Sequence, residues 1–396
     1  MPDILFVILD ACLTLETSAV FQAQVVDQAV ALRKLGHNVL ILCAYKDMDQ
    51  FQLVVGDKLR QEDVHVHMIL DKGLFRNLFS FVGVLRSEIL NCYSCTGYVR
   101  GVWGAMAIIL SNPLRTMPYV YDVRGDIVDE SFARGIARIR FLLIIILEKL
   151  SLRRARYVTS VTNHLASIVR NRAMLKVSPI VIPSCVDINL FSFDEMKRLS
   201  RRRQLGYSDN DIVFVYSGGL SHYQMIPEML LLWQGMFAAT LNVKFLLLIN
   251  SDIQYNSSYL ECFSDFADRL QIMNLQRSEV FGSLIAADIG FLLRENRELN
   301  SSASPVKFAE YLAAGLSVVS SPCVGDISDL IVNRQIGVLV DPKNTECGID
   351  RVEKYLQKYK LNQLRYRLNS LNLAKESYSW HSHQKLYDVL YGQSIK

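Results

Sequence analysis

No run in this chain approaches the ~18 to 20 consecutive apolar residues a membrane-spanning helix needs. The greasiest, FLLIIIL at Phe141 to Leu147, falls far short, so nothing is expected to cross a bilayer. The opening MPDILFVILD is apolar but has no basic region ahead of it, and Asp3 and Asp10 bracket it. It reads as a buried first strand, not a signal peptide. A strong charge bias is also missing. The net charge is +4, too small for a general nucleic-acid binder, which leaves anionic small ligands and membrane surfaces open as partners. Cysteines number 8 but are scattered, and the only close pair is Cys92 and Cys95 in NCYSCTGY. Cys262, Cys323 and Cys347 supply no second pair at metal-ligand spacing. Free thiols in a reducing compartment follow, with the cytoplasm as default and no metal expected.

What is present is a well-packed globular composition, 51% hydrophobic and 21% charged over 396 residues. That length suggests two domains. Short β-branched or apolar runs alternate with helical patterns: ILFVIL, a helix over FQAQVVDQAVALRKLG, NVLILCA, VHVHMIL, a helix around Leu78 to Leu90, PYVYDVRG, RYVTSVT and PIVIPS. IPSCVDINLF breaks the rhythm and a basic helix follows. A second alternating set then runs from DIVFVYSGGL through VKFLLLIN, LQIMNL, DIGFLL and SVVSS. Strands alternating with helices imply parallel, doubly wound sheets, which bind ligands at the carboxyl ends of their strands.

Three elements at such ends carry chemistry. In VYSGGLSHY a strand runs into Gly218 and Gly219; either bare amides approach an anion at a helix start, or the pair is a plain turn. In DIGFLLREN, Arg294 ends a central strand and either clamps a phosphate or pairs at the surface with Glu295 or Glu298. In SASPVKFAEYLAAG, Ser304 reads as an N-cap, Pro305 as the first helical residue and Gly315 as the stop. Lys307 then stands in the first helical turn, where the helix dipole disfavours a cation unless an anion binds there.

The segments VYSGGL, AADIGFLLRE and SPVKFAEYLAAGLSVVSSPCVGD resemble the C-terminal half of retaining glycosyltransferases of the GT-B fold, family GT4, of the bacterial surface-polysaccharide type. PYVYDVRGDIVDE, LEKLSLRRARYVTSVT and VIPSCVDINLF extend the resemblance over both halves. It implies two Rossmann-like domains facing a central cleft: 1–183 binding acceptor, 184–375 binding the nucleotide-sugar, and 376–396 a C-terminal helix returning toward the first. Glu310 then holds the ribose hydroxyls, the bland alternative being a solvated glutamate paired with Lys307. Departures are specific. Ser302 stands where the family commonly has a second glutamate, Gly219 where it has an arginine, and SHYQMIP lacks the usual lysine. Lys307 and Arg294 are the obvious replacements facing the diphosphate.

On the N-terminal half, Arg124 stands near where relatives place a histidine, flanked by Asp122 and Asp126; either it contacts ligand or the trio is a structural ion network. Thr17 and Ser18 fall on a donor-facing turn, and Arg100 resembles an acceptor-side cation. Met273 and Asn274 lie where the base is expected. His164 and His222 read as surface residues. The resemblance implies a retaining transferase moving sugar from a nucleotide donor to a lipid-linked glycan at the inner membrane face, with no metal or other cofactor. Arg124, Arg294 and Lys307 carry the reaction, with same-face attack and no covalent carboxylate. A nucleotide-sugar 2-epimerase and a non-catalytic partner subunit are the alternatives. The tract RGIARIRFLLIIILEKLSLRRAR reads as a buried helix with basic ends in preference to one lying on anionic lipid.

Overall fold

A computed structural model describes residues 2–13, 21–91, 95–114, 116–133, 137–190, 193–239, 243–249, 268–275 and 277–392. Two compact units emerge: Met1–Asp187 with Trp380–Lys396, and Ile188–Ser379.

The first unit holds a parallel sheet of β1 (Ile4–Leu13), β2 (Val39–Tyr45), β3 (His65–Leu70), β4 (Thr96–Arg100), β5 (Tyr119–Val123), β6 (Tyr157–Ser160) and β7 (Ile180–Val181). Their order is β3-β2-β1-β4-β5-β6-β7, so the chain winds outward from β1 in both directions. Side chains alternate across a strand, and a parallel sheet must bury both faces. Accordingly Ile4, Phe6 and Ile8 enter one apolar layer while Leu5, Val7 and Leu9 enter the other. The first layer also contains Trp380, Tyr387, Leu390 and Tyr391. The returning C-terminal segment is thus part of this unit's core.

The second unit repeats the plan with β8 (Ile212–Ser217), β9 (Val243–Ile249), β10 (Leu270–Asn274), β11 (Ile289–Leu292), β12 (Ser317–Ser320) and β13 (Gly337–Leu339). Their order is β10-β9-β8-β11-β12-β13. The winding reverses between β8 and β11, and such a switch point is where open α/β sheets form a ligand crevice. At the opposite, amino-terminal edge, buried Asp288 accepts from Arg198 (2.7 Å), Arg202 (3.2 Å) and the Val213 amide (2.9 Å). This ties the basic helix Glu195–Gln204 to the start of β8.

The helix Arg138–Arg154 corrects one expectation. Its apolar centre is not buried: Ile139, Leu142, Leu143 and Ile146 are 50–80% exposed, while Glu148, Ser151 and Leu152 face inward. Glu148 is drawn in by Arg172 (3.1 Å), which also pairs with Asp126. A buried ion network thereby claims the side that hydrophobicity alone would have assigned to the core.

Candidate functional site

The residues following β8 and β11 at the switch point are Gly218–Gly219 and Leu293–Arg294. Gly218 has φ +139°, a conformation L side chains rarely adopt. Its N–H extends the ladder to Leu248 C=O (3.0 Å). The glycines do not open a helix directly; a single 3₁₀ turn, His222–Gln224, precedes the helix Ile226–Ala239. The N–H of Gly218 is therefore committed to the sheet, and the pair serves instead as a place of close approach. A Cβ on Gly218 would lie 2.8 Å from Lys307 Nζ.

Lys307 reaches that point from the helix Val306–Ala313. This helix starts one residue later than the sequence suggests, with Pro305 at the N-cap and no side-chain capping bond, so Ser304 is not its cap. It stops where expected, Gly315 taking the left-handed conformation (φ +74°). Lys307 is 8% exposed. Its ammonium lies 4.2 Å from the centre of the Tyr216 ring and donates to Gln224 Oε1 (2.9 Å). Arg294, 5% exposed, donates through Nη1 to the same Gln224 oxygen and lies over the Tyr223 ring. Its own N–H donates to Ser321 Oγ (2.8 Å).

Neither cation is within ion-pair distance of a carboxylate among the described residues. Glu295 pairs with Arg297 (2.7 Å), not with Arg294. Glu310 is 6% exposed and acts on Lys307 only at longer range, so the solvated Lys307–Glu310 pair does not form. Burial, with Arg294 adding repulsion, drives the Lys307 pKa well below the usual lysine range, and Glu310 only partly opposes this. Two buried cations beside a glycine turn, held by a neutral amide and two aromatic rings, lack the negative charge that would settle them. An anion with at least two oxygens would supply it.

Tyr311, next to Glu310, shapes the crevice. The Ser217 N–H donates to its hydroxyl oxygen (3.0 Å), and the hydroxyl donates to Phe291 C=O (3.2 Å). The phenol thus stands between β8 and β11, beyond their paired stretch at Ile289↔Phe214 and Gly290↔Val215. Gln224 and Tyr311 escaped sequence reasoning. Only Tyr311's place beside Glu310 in AEYLAAG offered a signal.

Other expected positions disperse. Ser302 is fully buried, Met273 and Asn274 lie on edge strand β10, and Thr17 and Ser18 fall outside the described residues. In the first unit Arg100 ends β4, abreast of Asp122 in β5. Asp122 accepts from Arg124 Nε (2.6 Å), Tyr98 OH (2.6 Å) and Thr159 Oγ1 (2.7 Å). Burial pushes the Asp122 carboxyl up, but Arg124 and these hydroxyls more than offset it and hold it below the ordinary value. Asp126 does not join this network. It caps the Val128 amide (3.0 Å) and pairs with Arg172. Arg124 Nη2 donates to Gln28 (3.2 Å), and Nη1 has no hydrogen-bond partner among the described residues. His164 and His222 are exposed.

No protein-family model and no curated protein matches the chain. Solved structures do match along its full length. A glycosyltransferase from Rickettsia africae has a TM-score of 0.73 at 14% identity, covering 98% of this chain and 97% of its own. Anabaena Alr3699/HepE in complex with UDP has a TM-score of 0.73 at 14% identity, with 98% and 99% covered. Sucrose-phosphate synthase from Thermosynechococcus elongatus gives 0.69 at 14%, with 98% of both chains covered. With its doubly wound sheets of 7 and 6 parallel strands, the chain has the GT-B fold.

Proposed function

We propose that this chain is a retaining glycosyltransferase that moves a sugar from a nucleotide-diphosphate donor to a glycan acceptor, in the manner of the GT4 surface-polysaccharide enzymes it resembles. The observation that carries the reading is the convergence of Arg294 and Lys307 on Gln224 beside Gly218, at the switch point of the second sheet. HepE, of the same fold, is described in complex with UDP and with UDP-glucose, which supports a nucleotide-sugar as the donor.

In this scheme the diphosphate lies against Arg294 and Lys307, and Glu310 accepts from the ribose diol. As the anomeric C–O bond to phosphate breaks, charge accumulates on the leaving oxygen. Cations already fixed there stabilise the transition state more than the ground state. The acceptor hydroxyl attacks from the same face and passes its proton to the leaving phosphate oxygen. Arg294 and Lys307 supply the positive charge, so the scheme invokes no metal. Arg124, through its remaining N–H, and Arg100 are assigned to the sugar and acceptor side.

The exposed stripe Ile139, Leu142, Leu143, Ile146 and Leu150, three and four residues apart, supports a lipid-linked acceptor at an anionic membrane. Exposed Arg138, Arg140, Arg153 and Arg154 bracket it, the pattern of a helix lying in a headgroup layer. No described helix is long and apolar enough to span.

Isothermal titration with UDP, GDP and their sugars tests the reading, with binding in the micromolar range expected and lost in Glu310→Ala. Absence of binding to every nucleotide would favour a partner subunit. Conversion of free nucleotide-sugar without acceptor would favour the epimerase.

A further inference from the structure

Gln224 is 7% exposed and sits on the one-turn segment His222–Gln224, anchored by its N–H to Ser221 C=O (2.8 Å) and followed by Met225 in a left-handed conformation (φ +52°). Its carboxamide oxygen accepts from Arg294 and Lys307 at once. A buried oxygen between two cations is ordinarily a carboxylate, because like charges held together in a low-dielectric site repel and a negative charge offsets both. A neutral amide orients the two donors but cancels none of their charge. Both cations therefore keep their unsatisfied field for a ligand, with the Tyr216 and Tyr223 rings giving only partial compensation.

We infer that Gln224 is a positioning residue of the proposed diphosphate site: it holds Arg294 and Lys307 side by side without neutralising them, and it yields both to the incoming diphosphate. This rests on the donor reading above and adds to it the residue that sets the site's charge. Replacing the amide by an isosteric carboxylate closes the site from within, whereas replacing it by an apolar group of similar size removes the bridge and leaves the charge.

The test compares wild type, Gln224→Glu and Gln224→Leu by titration with UDP and by thermal melting with and without UDP. Gln224→Glu is expected to lose at least about tenfold in UDP affinity. At the same time it should melt higher than wild type without ligand and lose the melting shift that UDP produces. Gln224→Leu should melt lower without ligand yet keep a UDP-induced shift. UDP binding by Gln224→Glu at wild-type affinity overturns the inference, as does an equal loss in both variants, which would make the amide a packing element only. If wild type binds UDP and GDP no better than buffer controls, the donor reading itself falls and the inference with it.

Discussion

Gly290 and Tyr311 are made for each other: a Cβ placed on Gly290 would lie 2.4 Å from the Tyr311 ring. The missing side chain lets the ring lie flat over β11 and bring its hydroxyl between Ser217 and Phe291. Gly290→Ala has nowhere to go, since Tyr311 is fully buried. It should cost about 1–3 kcal/mol in urea unfolding and weaken UDP binding by displacing the phenol. Tyr311→Phe keeps the ring but strips the Ser217 amide of its acceptor, for a loss of about 1–2 kcal/mol. Wild-type stability in both variants would show that the switch point is not held open by this wedge.

Gly218→Ala drives a methyl group to within 2.8 Å of Lys307 Nζ and forces an alanine into a left-handed φ. The expected outcome is a UDP affinity reduced by more than tenfold, about the effect of misplacing one charged hydrogen bond. Titration at constant salt reads it directly.

Lys307 makes the site pH-dependent with a definite sign. Its folded value lies well below the ordinary 10.5, chiefly through burial and secondarily through Arg294, with Glu310 opposing. Between that lowered value and 10.5 the unfolded chain binds the extra proton, so unliganded stability rises with pH across the window. UDP favours the ammonium, so its binding should take up a proton and weaken as pH rises through the lowered value. Titration in buffers of different ionisation enthalpy detects the uptake. Lys307→Met should abolish both the uptake and the stability slope, melt no lower than wild type and bind UDP weakly.

Asp288 supports the other end of the sheet. Burial raises its carboxyl, but Arg198, Arg202 and the Val213 amide hold it below 3.8. Its contribution is therefore present above 3.8 and lost as pH falls through the lower folded value. Asp288→Asn leaves buried guanidinium groups uncompensated and should cost about 3–5 kcal/mol in urea denaturation. The folded fraction should still bind UDP, because the proposed diphosphate site lies at the carboxyl ends of β8 and β11.

The stripe on helix Arg138–Arg154 should bind vesicles containing phosphatidylglycerol, more weakly at high salt. Ile139→Glu combined with Ile146→Glu is expected to abolish co-sedimentation with UDP affinity unchanged. Equal binding to purely zwitterionic vesicles would remove the electrostatic part of the reading.

The alternation of apolar runs and helical patterns determined the doubly wound sheets, because strand and helix periods are local and each run had to be buried on both faces. Local pattern also singled out Arg294 and Lys307 as candidates: a cation in a first helical turn is disfavoured unless an anion binds there, and an arginine ending a central strand either clamps a phosphate or pairs at the surface. Local pattern could not reveal Gln224, which meets Arg294 and Lys307 across 70 and 83 residues of chain. Nor could it reveal the wedge of Tyr311 against Ser217, 94 residues apart. A neutral amide and a phenol carry no charge pattern, and their meaning arises only when folding brings the strand ends together. The inward face of the Arg138–Arg154 helix was likewise decided by tertiary structure. Its centre is apolar all round, and the side that turned in carries Leu152 in the apolar layer together with the buried partnership of Glu148 with Arg172.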